Sequence, residues 1–172
     1  MNLCKLCIRI APVRISIVIP AFNEAKYLPE TLRAAHNACS VLRQAGWESE
    51  FVVCDNNSTD DTDVVARAYG ARVVFEPFNQ IAASRNTAGK AANGDWLVFV
   101  DADTQVSPLL FREMMRAMIR DDCLGGGCPV RFDSGPSLAC QTVFICNTIG
   151  RVMRWAAGSF LFCRASAFRE LG

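Results

Sequence analysis

The chain has 172 residues, 18 Lys and Arg against 17 Asp and Glu for a net charge of +1, and is 51% hydrophobic and 20% charged. At about 100–200 residues per domain this length fits one domain, and the apolar fraction supports a packed core and excludes a disordered tail. With no basic excess, the charge balance argues against a nucleic-acid partner.

The longest uncharged stretch, Ser134 to Gly150, has 17 residues and contains Gln141 and Asn147. A spanning helix needs about 20 mostly apolar residues, so no transmembrane segment is expected. Lys5, Arg9 and Arg14 interrupt the apolar residues near the N-terminus, so no signal-peptide core is expected either. There are nine cysteines, an odd count. Cys54 and Cys163 lie inside apolar runs, where thiols behave as small hydrophobes. Cys4 and Cys7 form a lone C-x-x-C with no matching second pair. The expectation is a reduced, cytoplasmic protein without a zinc centre.

Ile15 to Ile19 is a β-branched run ending at Pro20, the pattern of a buried strand. Leu28, Leu32, Ala35, Cys39 and Leu42 then recur at helical spacing, predicting one amphipathic helix from Asn23 onward. Phe51 to Cys54 reads as a second buried strand. Ser58-Thr59-Asp60-Asp61 resembles a capping box, predicting a helix to about Tyr69, closed by Gly70. Arg72 to Phe75 is a third strand, Gln80 to Ala92 a helix, Asn93-Gly94 a turn and Trp96 to Val100 a fourth strand. Ser107-Pro108 opens a further helix, with Pro where its missing N–H costs nothing. This alternation, with strands apolar on both faces, predicts an α/β fold with an open, mostly parallel sheet flanked by helices. Residues 1–14 are expected to be an extension, with 15–172 a single domain. Gly125-Gly126-Gly127 suggests a loop or strand edge, 138–155 a helix with Arg151 and Arg154 near its end, and Phe160 to Cys163 a late strand.

In open parallel sheets, ligands bind at the carboxyl ends of the strands. Three strands here end in polar clusters: Asn23-Glu24, Asp55-Asn56-Asn57 and Asp101-Ala102-Asp103. Any one of them would ordinarily be a helix cap; three in one sheet point to a shared crevice. Asp101 and Asp103, two apart at a strand end, project to one side. Such a pair can hold one hard cation, Mn²⁺ or Mg²⁺, with room left for substrate oxygens. The sole histidine, His36, sits beside the apolar stripe and reads as a packing residue, as do Trp47, Trp96 and Trp155.

Four blocks carry a resemblance: Ile15 to Glu24 (ISIVIPAFNE), Val53 to Thr62 (VCDNNSTDDT), Ala83 to Gly89 (ASRNTAG) and Phe99 to Asp103 (FVDAD). In this order and spacing they resemble the successive blocks of family 2 glycosyltransferases of the GT-A fold, over roughly residues 13–172. The resemblance implies inverting transfer of a sugar from a nucleotide-diphosphate donor to an acceptor hydroxyl, with a divalent cation. It further implies that Pro20, Ala21 and Glu24 lie along the nucleoside and that Asp55 hydrogen-bonds the base edge. By the same resemblance Arg85 faces the nucleotide, Asp101 lies near ribose and metal, and Asp103 ligates the metal bridging the diphosphate.

Two departures stand out. The second block commonly reads D-D-G-S, and Asn56-Asn57 here replace D-G. The segment Phe160 to Gly172 resembles the lead into the family's G-G-F-D/E block, so the general base is expected beyond Gly172, and Asp133 and Glu170 read as surface groups. A nucleotide-sugar-binding fragment without transfer activity is the alternative. A haloacid-dehalogenase-type phosphatase would also use D-x-D after a buried strand, but places it on its first strand. A sugar nucleotidyltransferase would need a Gly-rich loop after the first strand, where Pro20-Ala-Phe-Asn has no glycine. Some members of the resembling family use lipid-phosphate acceptors, which would set 138–155, with Arg151, Arg154 and Arg164, at the inner face of a membrane. The alternative is that this helix packs on the sheet.

Overall fold

The computed structural model describes residues 13–120, 122–128 and 158–171. Its elements in chain order are β1 (Arg14–Ala21), α1 (Leu28–Ala38), α2 (Ser40–Gln44), β2 (Glu48–Asp55), α3 (Thr62–Ala68) and β3 (Arg72–Phe75). There follow α4 (Ile81–Ala91), β4 (Trp96–Val100), α5 (Pro108–Met118), β5 (Gly125–Gly127), β6 (Phe160–Arg164) and α6 (Ala165–Leu171). They build one six-stranded sheet in the order β3-β2-β1-β4-β6-β5. Strands β1 to β4 run parallel, and β6 pairs antiparallel with both β4 and β5. This is the mostly parallel α/β sheet that the alternation predicts.

Alternate strand residues feed two cores, as the two-residue period requires. Ile15, Ile17, Ile19, Val53, Val98 and Val100 pack with α1, α2 and α5, around the fully buried Leu28, Leu32, Leu42 and Phe111. Val18, Val52, Cys54, Leu97 and Phe99 pack on the other face against Ala88 and Ala92 of the α4 region and Ala165 of α6. The β1 strand is buried from Ile15 to Ala21 because helices cover it on both sides.

Several expectations are corrected in detail. The apolar stripe Leu28 to Leu42 is buried, but it belongs to two helices that meet at Cys39, and the first starts at Leu28, not near Asn23. Strand β1 begins at Arg14, so it takes in the last residue of the expected extension; residues 1–12 lie outside the described residues. Ser58 to Asp61 do not form a capping box: α3 starts at Thr62, and its N-cap Asp61 makes no side-chain cap bond. The side chains of Ser58, Thr59 and Asp60 bond instead to the loop after β1. Gly70 does close α3, with a φ of 77°, and Ser107 caps α5, its Oγ accepting from the Leu110 N–H at 3.2 Å. The glycine triplet 125–127 is the edge strand β5. The expected helix at 138–155 lies outside the described residues. Among the described residues no helix is long and apolar enough to cross a membrane.

Candidate functional site

The strand order β3-β2-β1-β4 places a topological switch point between β1 and β4, since the chain crosses to β2 and β3 on one side and returns to β4 on the other. Ligands bind open α/β sheets at such a point, outside the carboxyl strand ends. A cleft of about 310 Å³ lies there, lined by Pro20, Ala21, Phe22, Glu24, Asn56, Ile81, Asp101, Ala102 and Asp103. The sheet thus brings together five of the residues singled out in the sequence: Pro20, Ala21, Glu24, Asp101 and Asp103. A larger groove of about 770 Å³ runs past Glu48 to Phe51 at the amino end of β2, the end of the sheet where this fold does not build its ligand sites.

Asp101 leaves β4 with its N–H donating to Ser159 O at 3.0 Å, and its carbonyl accepts from Thr104 N–H at 3.0 Å. That turn is pinned between its two carboxylates. Ala102 is buried, and its carbonyl accepts from the buried Thr31 hydroxyl at 2.7 Å. Asp103 is exposed at the mouth of the cleft. Arg85, on α4, does not line the cleft; its Nη2 donates to Asp101 Oδ1 at 2.5 Å, and both side chains are about three-quarters buried. Its Nε is buried with no hydrogen-bond partner, a group that in isolation costs about 1–3 kcal/mol.

Glu24 enters the cleft from the loop between β1 and α1. Its carboxyl titrates above its ordinary value, first because burial disfavours the charge, then because Asp103 and Asp60 lie close. Among the described residues the cleft wall carries more negative charge than it neutralises, with Arg85 paired to Asp101. Among the described residues no three His, Cys, Asp or Glu side chains form a metal cage. Asp101 and Asp103 on one wall, beside Glu24, whose pKa is raised by burial and then by Asp103 and Asp60, fit a hard cation that keeps positions open for further oxygen ligands.

Asp55 stands apart from the others. It ends β2, but it does not line the cleft, and its Oδ1 accepts from Ser58 N–H at 3.0 Å. Asn56, which the sequence presents only as a departure from the block, is the residue of this cluster that does line the cleft. It is buried, and in the orientation that pairs donors with acceptors its carboxamide donates to Phe78 O at 2.5 Å and accepts from Gln80 N–H at 3.2 Å. Phe22 and Ile81 were also missed; both are more than 40% exposed, and apolar side chains standing open beside a cleft were the signal available. Arg164, expected beside Arg151 and Arg154 at a membrane face, is tied into the fold: its Nε donates to Cys123 O at 2.9 Å and its guanidinium lies 5.1 Å from the Trp96 ring centroid. His36 packs on Phe51 and bonds through Nε2 to Tyr69 O at 3.0 Å.

The sequence model described as Glycosyl transferase family 2 matches residues 16–169. The chain belongs to glycosyltransferase family 2. Among curated proteins this family 2 chain is 38% identical over 103 residues to the undecaprenyl-phosphate 4-deoxy-4-formamido-L-arabinose transferase of Pseudomonas syringae pv. syringae (strain B728a), covering 55% of the chain and 29% of that protein. It is 29% identical over 115 residues to the chondroitin synthase of Pasteurella multocida (strain Pm70), covering 64% of the chain and 11% of that protein. Among solved structures it matches the glucosyl-3-phosphoglycerate synthase of Mycobacterium tuberculosis in complex with Mn²⁺, UDP and glucosyl-3-phosphoglycerate. That match has a TM-score of 0.66 at 21% identity and covers 90% of the chain and 57% of the synthase. TarS 1–349 of S. aureus gives a TM-score of 0.65 at 18% identity, covering 92% and 49%. The family 2 chain thus spans about half of these solved structures and under a third of these curated relatives.

Proposed function

We propose that the protein is an inverting, metal-dependent glycosyltransferase and that the described residues hold its nucleotide-diphosphate sugar donor, the sugar passing to an acceptor hydroxyl. The observation that carries this reading is the meeting of Glu24, Asp101 and Asp103 in one cleft at the switch point, in a chain of family 2. Pro20, Ala21 and Glu24 lie along the nucleoside, and Asp55 accepts a hydrogen bond from the base edge. Asp101 and Asp103 hold Mn²⁺ or Mg²⁺, which when bound neutralises charge on the departing diphosphate. Arg85 orients the Asp101 carboxylate through their ion pair and faces the nucleotide from α4. Phe22 and Ile81 exclude water from the nucleoside. Inversion needs a base for the acceptor proton, and none of the residues lining the cleft is assigned to it.

The coverage of about half of each solved relative favours a second reading: these 172 residues bind the nucleotide sugar and transfer nothing by themselves. The Pseudomonas syringae relative is by its name an undecaprenyl-phosphate 4-deoxy-4-formamido-L-arabinose transferase, which supports a lipid-phosphate acceptor for this protein, reached at the inner face of a membrane. Titration calorimetry with UDP, GDP and dTDP, each with Mn²⁺ or with chelator, tests the donor site. At least one nucleotide should bind only with the cation, and that binding should disappear in Asp103→Ala. Equal binding in chelator overturns the metal role.

A further inference from the structure

The loop after β1 and the loop after β2 each contribute to the donor cleft, Phe22 and Glu24 from the first and Asn56 from the second. Neither loop has a hydrophobic anchor of its own at its tip: Asn23, Asn57 and Thr59 are all exposed. They are instead joined to each other. The Asn23 N–H donates to Ser58 Oγ at 3.0 Å, and its side-chain Oδ1 accepts both the Thr59 N–H at 2.8 Å and the Thr59 hydroxyl at 3.2 Å. The seam continues with Glu24 N–H to Thr62 Oγ1 at 2.9 Å and Ala25 N–H to Asp60 Oδ2 at 3.1 Å. It is closed from below by Asn56 N–H to Ala21 O at 2.8 Å.

Asn23 is held at a φ of 55°, left-handed backbone that a residue other than glycine adopts at a cost, Asn among the least. That conformation turns the chain so that Phe22 and Glu24, on either side, both reach the cleft, while Asn23 itself does not line it. We infer that Asn23 is a positioning residue of the donor site: its carboxamide fixes the two loops as one rigid wall and so sets Glu24 opposite Asp103. This rests on the reading of the cleft as the donor site. It adds that donor affinity depends on a residue that touches no part of the donor. The physical reason is preorganisation. A wall already joined before binding loses little freedom when the nucleotide arrives, whereas two separate loops must be ordered at that moment.

Three variants separate this role from a general contribution to folding. Asn23→Gly keeps the left-handed backbone without strain and removes the acceptor. Asn23→Asp keeps both the acceptor oxygen and tolerance of that backbone. Thr59→Val removes the hydroxyl bond from the other side of the seam. The readouts on the full chain are calorimetric affinity for UDP, GDP and dTDP with Mn²⁺, and amide hydrogen exchange. Asn23→Gly is expected to bind the preferred nucleotide about tenfold more weakly, with faster exchange at 22–25 and 58–62 and unchanged exchange in β1 and β2. Asn23→Asp should recover parental exchange and most of the affinity. Should Asn23→Gly not fold, Thr59→Val carries the test, with a smaller loss of affinity in the same direction. Parental affinity in the folded Asn23→Gly or in Thr59→Val overturns the inference, and so does weakened affinity with unchanged loop exchange. If the parent binds none of the three nucleotides, the donor reading itself falls and takes this inference with it, an outcome visible before any variant is made.

Discussion

Arg85 and Asp101 form the closest ion pair of the described residues around the cleft, Nη2 to Oδ1 at 2.5 Å, and they join α4 to the turn after β4. The pair is three-quarters buried, so removing one partner leaves a charge poorly solvated. Arg85→Ala is expected to lower stability by about 1–3 kcal/mol, the range for a lost hydrogen bond to a charged group together with its stranded partner. Because the stranded partner is Asp101, millimolar Mn²⁺ should restore part of that loss by binding the folded state alone. Urea titrations with and without the cation check both halves. A variant as stable as the parent, or one that gains nothing from Mn²⁺, contradicts the account.

Glu24 gives the cleft a pH signature. Its folded pKa lies above the ordinary 4.5, by burial first and then by Asp103 and Asp60. A carboxyl raised on folding binds its proton more tightly in the folded state, so its ionisation opposes folding as pH rises from about 4.5 through the folded value. Glu24→Gln should therefore melt higher than the parent at neutral pH. The difference should shrink as pH falls and vanish below the unfolded pKa. Saturating Mn²⁺ should narrow it at neutral pH, since the cation offsets the same repulsion. Melting curves across this pH range decide it: a Gln variant less stable at neutral pH shows that the carboxylate is favourably held.

Much of this arrangement is legible in the sequence, and the exceptions have physical causes. The runs Arg72 to Phe75 and Trp96 to Val100 coincide with β3 and β4: β4 is buried along its whole length and so has no polar interruption, while β3, at the edge of the sheet, is marked by its β-branched pair Val73-Val74. The convergence of Glu24, Asp101 and Asp103 followed from strand ends alone. The segment Ser58 to Asp61 misled because hydroxyls and carboxylates accept backbone N–H groups equally well at a helix start and across a loop seam. Only the fold reveals that Ser58 and Asp60 accept the N–H groups of Asn23 and Ala25 across the seam. The β5 strand had no readable side-chain pattern, since it consists of glycines. A Cβ at Gly125 would stand 2.6 Å from Phe162 O, so the close pairing with β6 needs their absence. The antiparallel direction of β6 depends on residues far from it in sequence. Asp55 and Asn56 show the limit most clearly: of these neighbours at one strand end Asn56 lines the cleft, while Asp55 accepts from the Ser58 N–H just outside the lining, and the sequence pattern does not distinguish them.

Glu50 marks the opposite end of the sheet and supplies a control for the cleft. Burial raises its carboxyl pKa, but bonds from the Ser16 hydroxyl (2.6 Å) and the Asn93 N–H (2.6 Å), with Arg72 nearby, outweigh it and hold the group below 4.5. For a depressed carboxylate the contribution to stability is present above the unfolded pKa and fades as pH falls through the folded one. Glu50→Ala leaves the O–H donor of the buried Ser16 without its carboxylate acceptor, although its oxygen still accepts from Gly94 N–H, and should cost about 1–3 kcal/mol at neutral pH, and less under acid conditions. Because β1 separates it from the donor cleft by the length of the strand, nucleotide affinity in the folded variant should match the parent. A loss of affinity would mean that the two ends of the sheet are coupled.

Gly94, in the turn that leads into β4, tests how tightly this same end is closed. Its N–H donates to Ser16 Oγ at 2.8 Å, and a Cβ added there would stand 2.6 Å from Ser16 Oγ, 2.7 Å from Ser16 N and 2.9 Å from Arg14 O. Two of those three atoms are backbone of the central strand β1, which helices bury on both faces and which cannot move aside locally. Gly94→Ala must therefore push the turn away from β1 and break the Gly94–Ser16 bond. Overpacking of this kind costs about 1–3 kcal/mol, with the lost bond adding to it. Ser16→Gly gives up the bond to Glu50 but also removes the side chain in the way, so the double variant should lose less than the sum of the two single variants, with the clash with Ser16 N remaining. Denaturant unfolding of the single and double variants measures the coupling. A Gly94→Ala protein of parental stability would mean that the turn has more room than these distances allow.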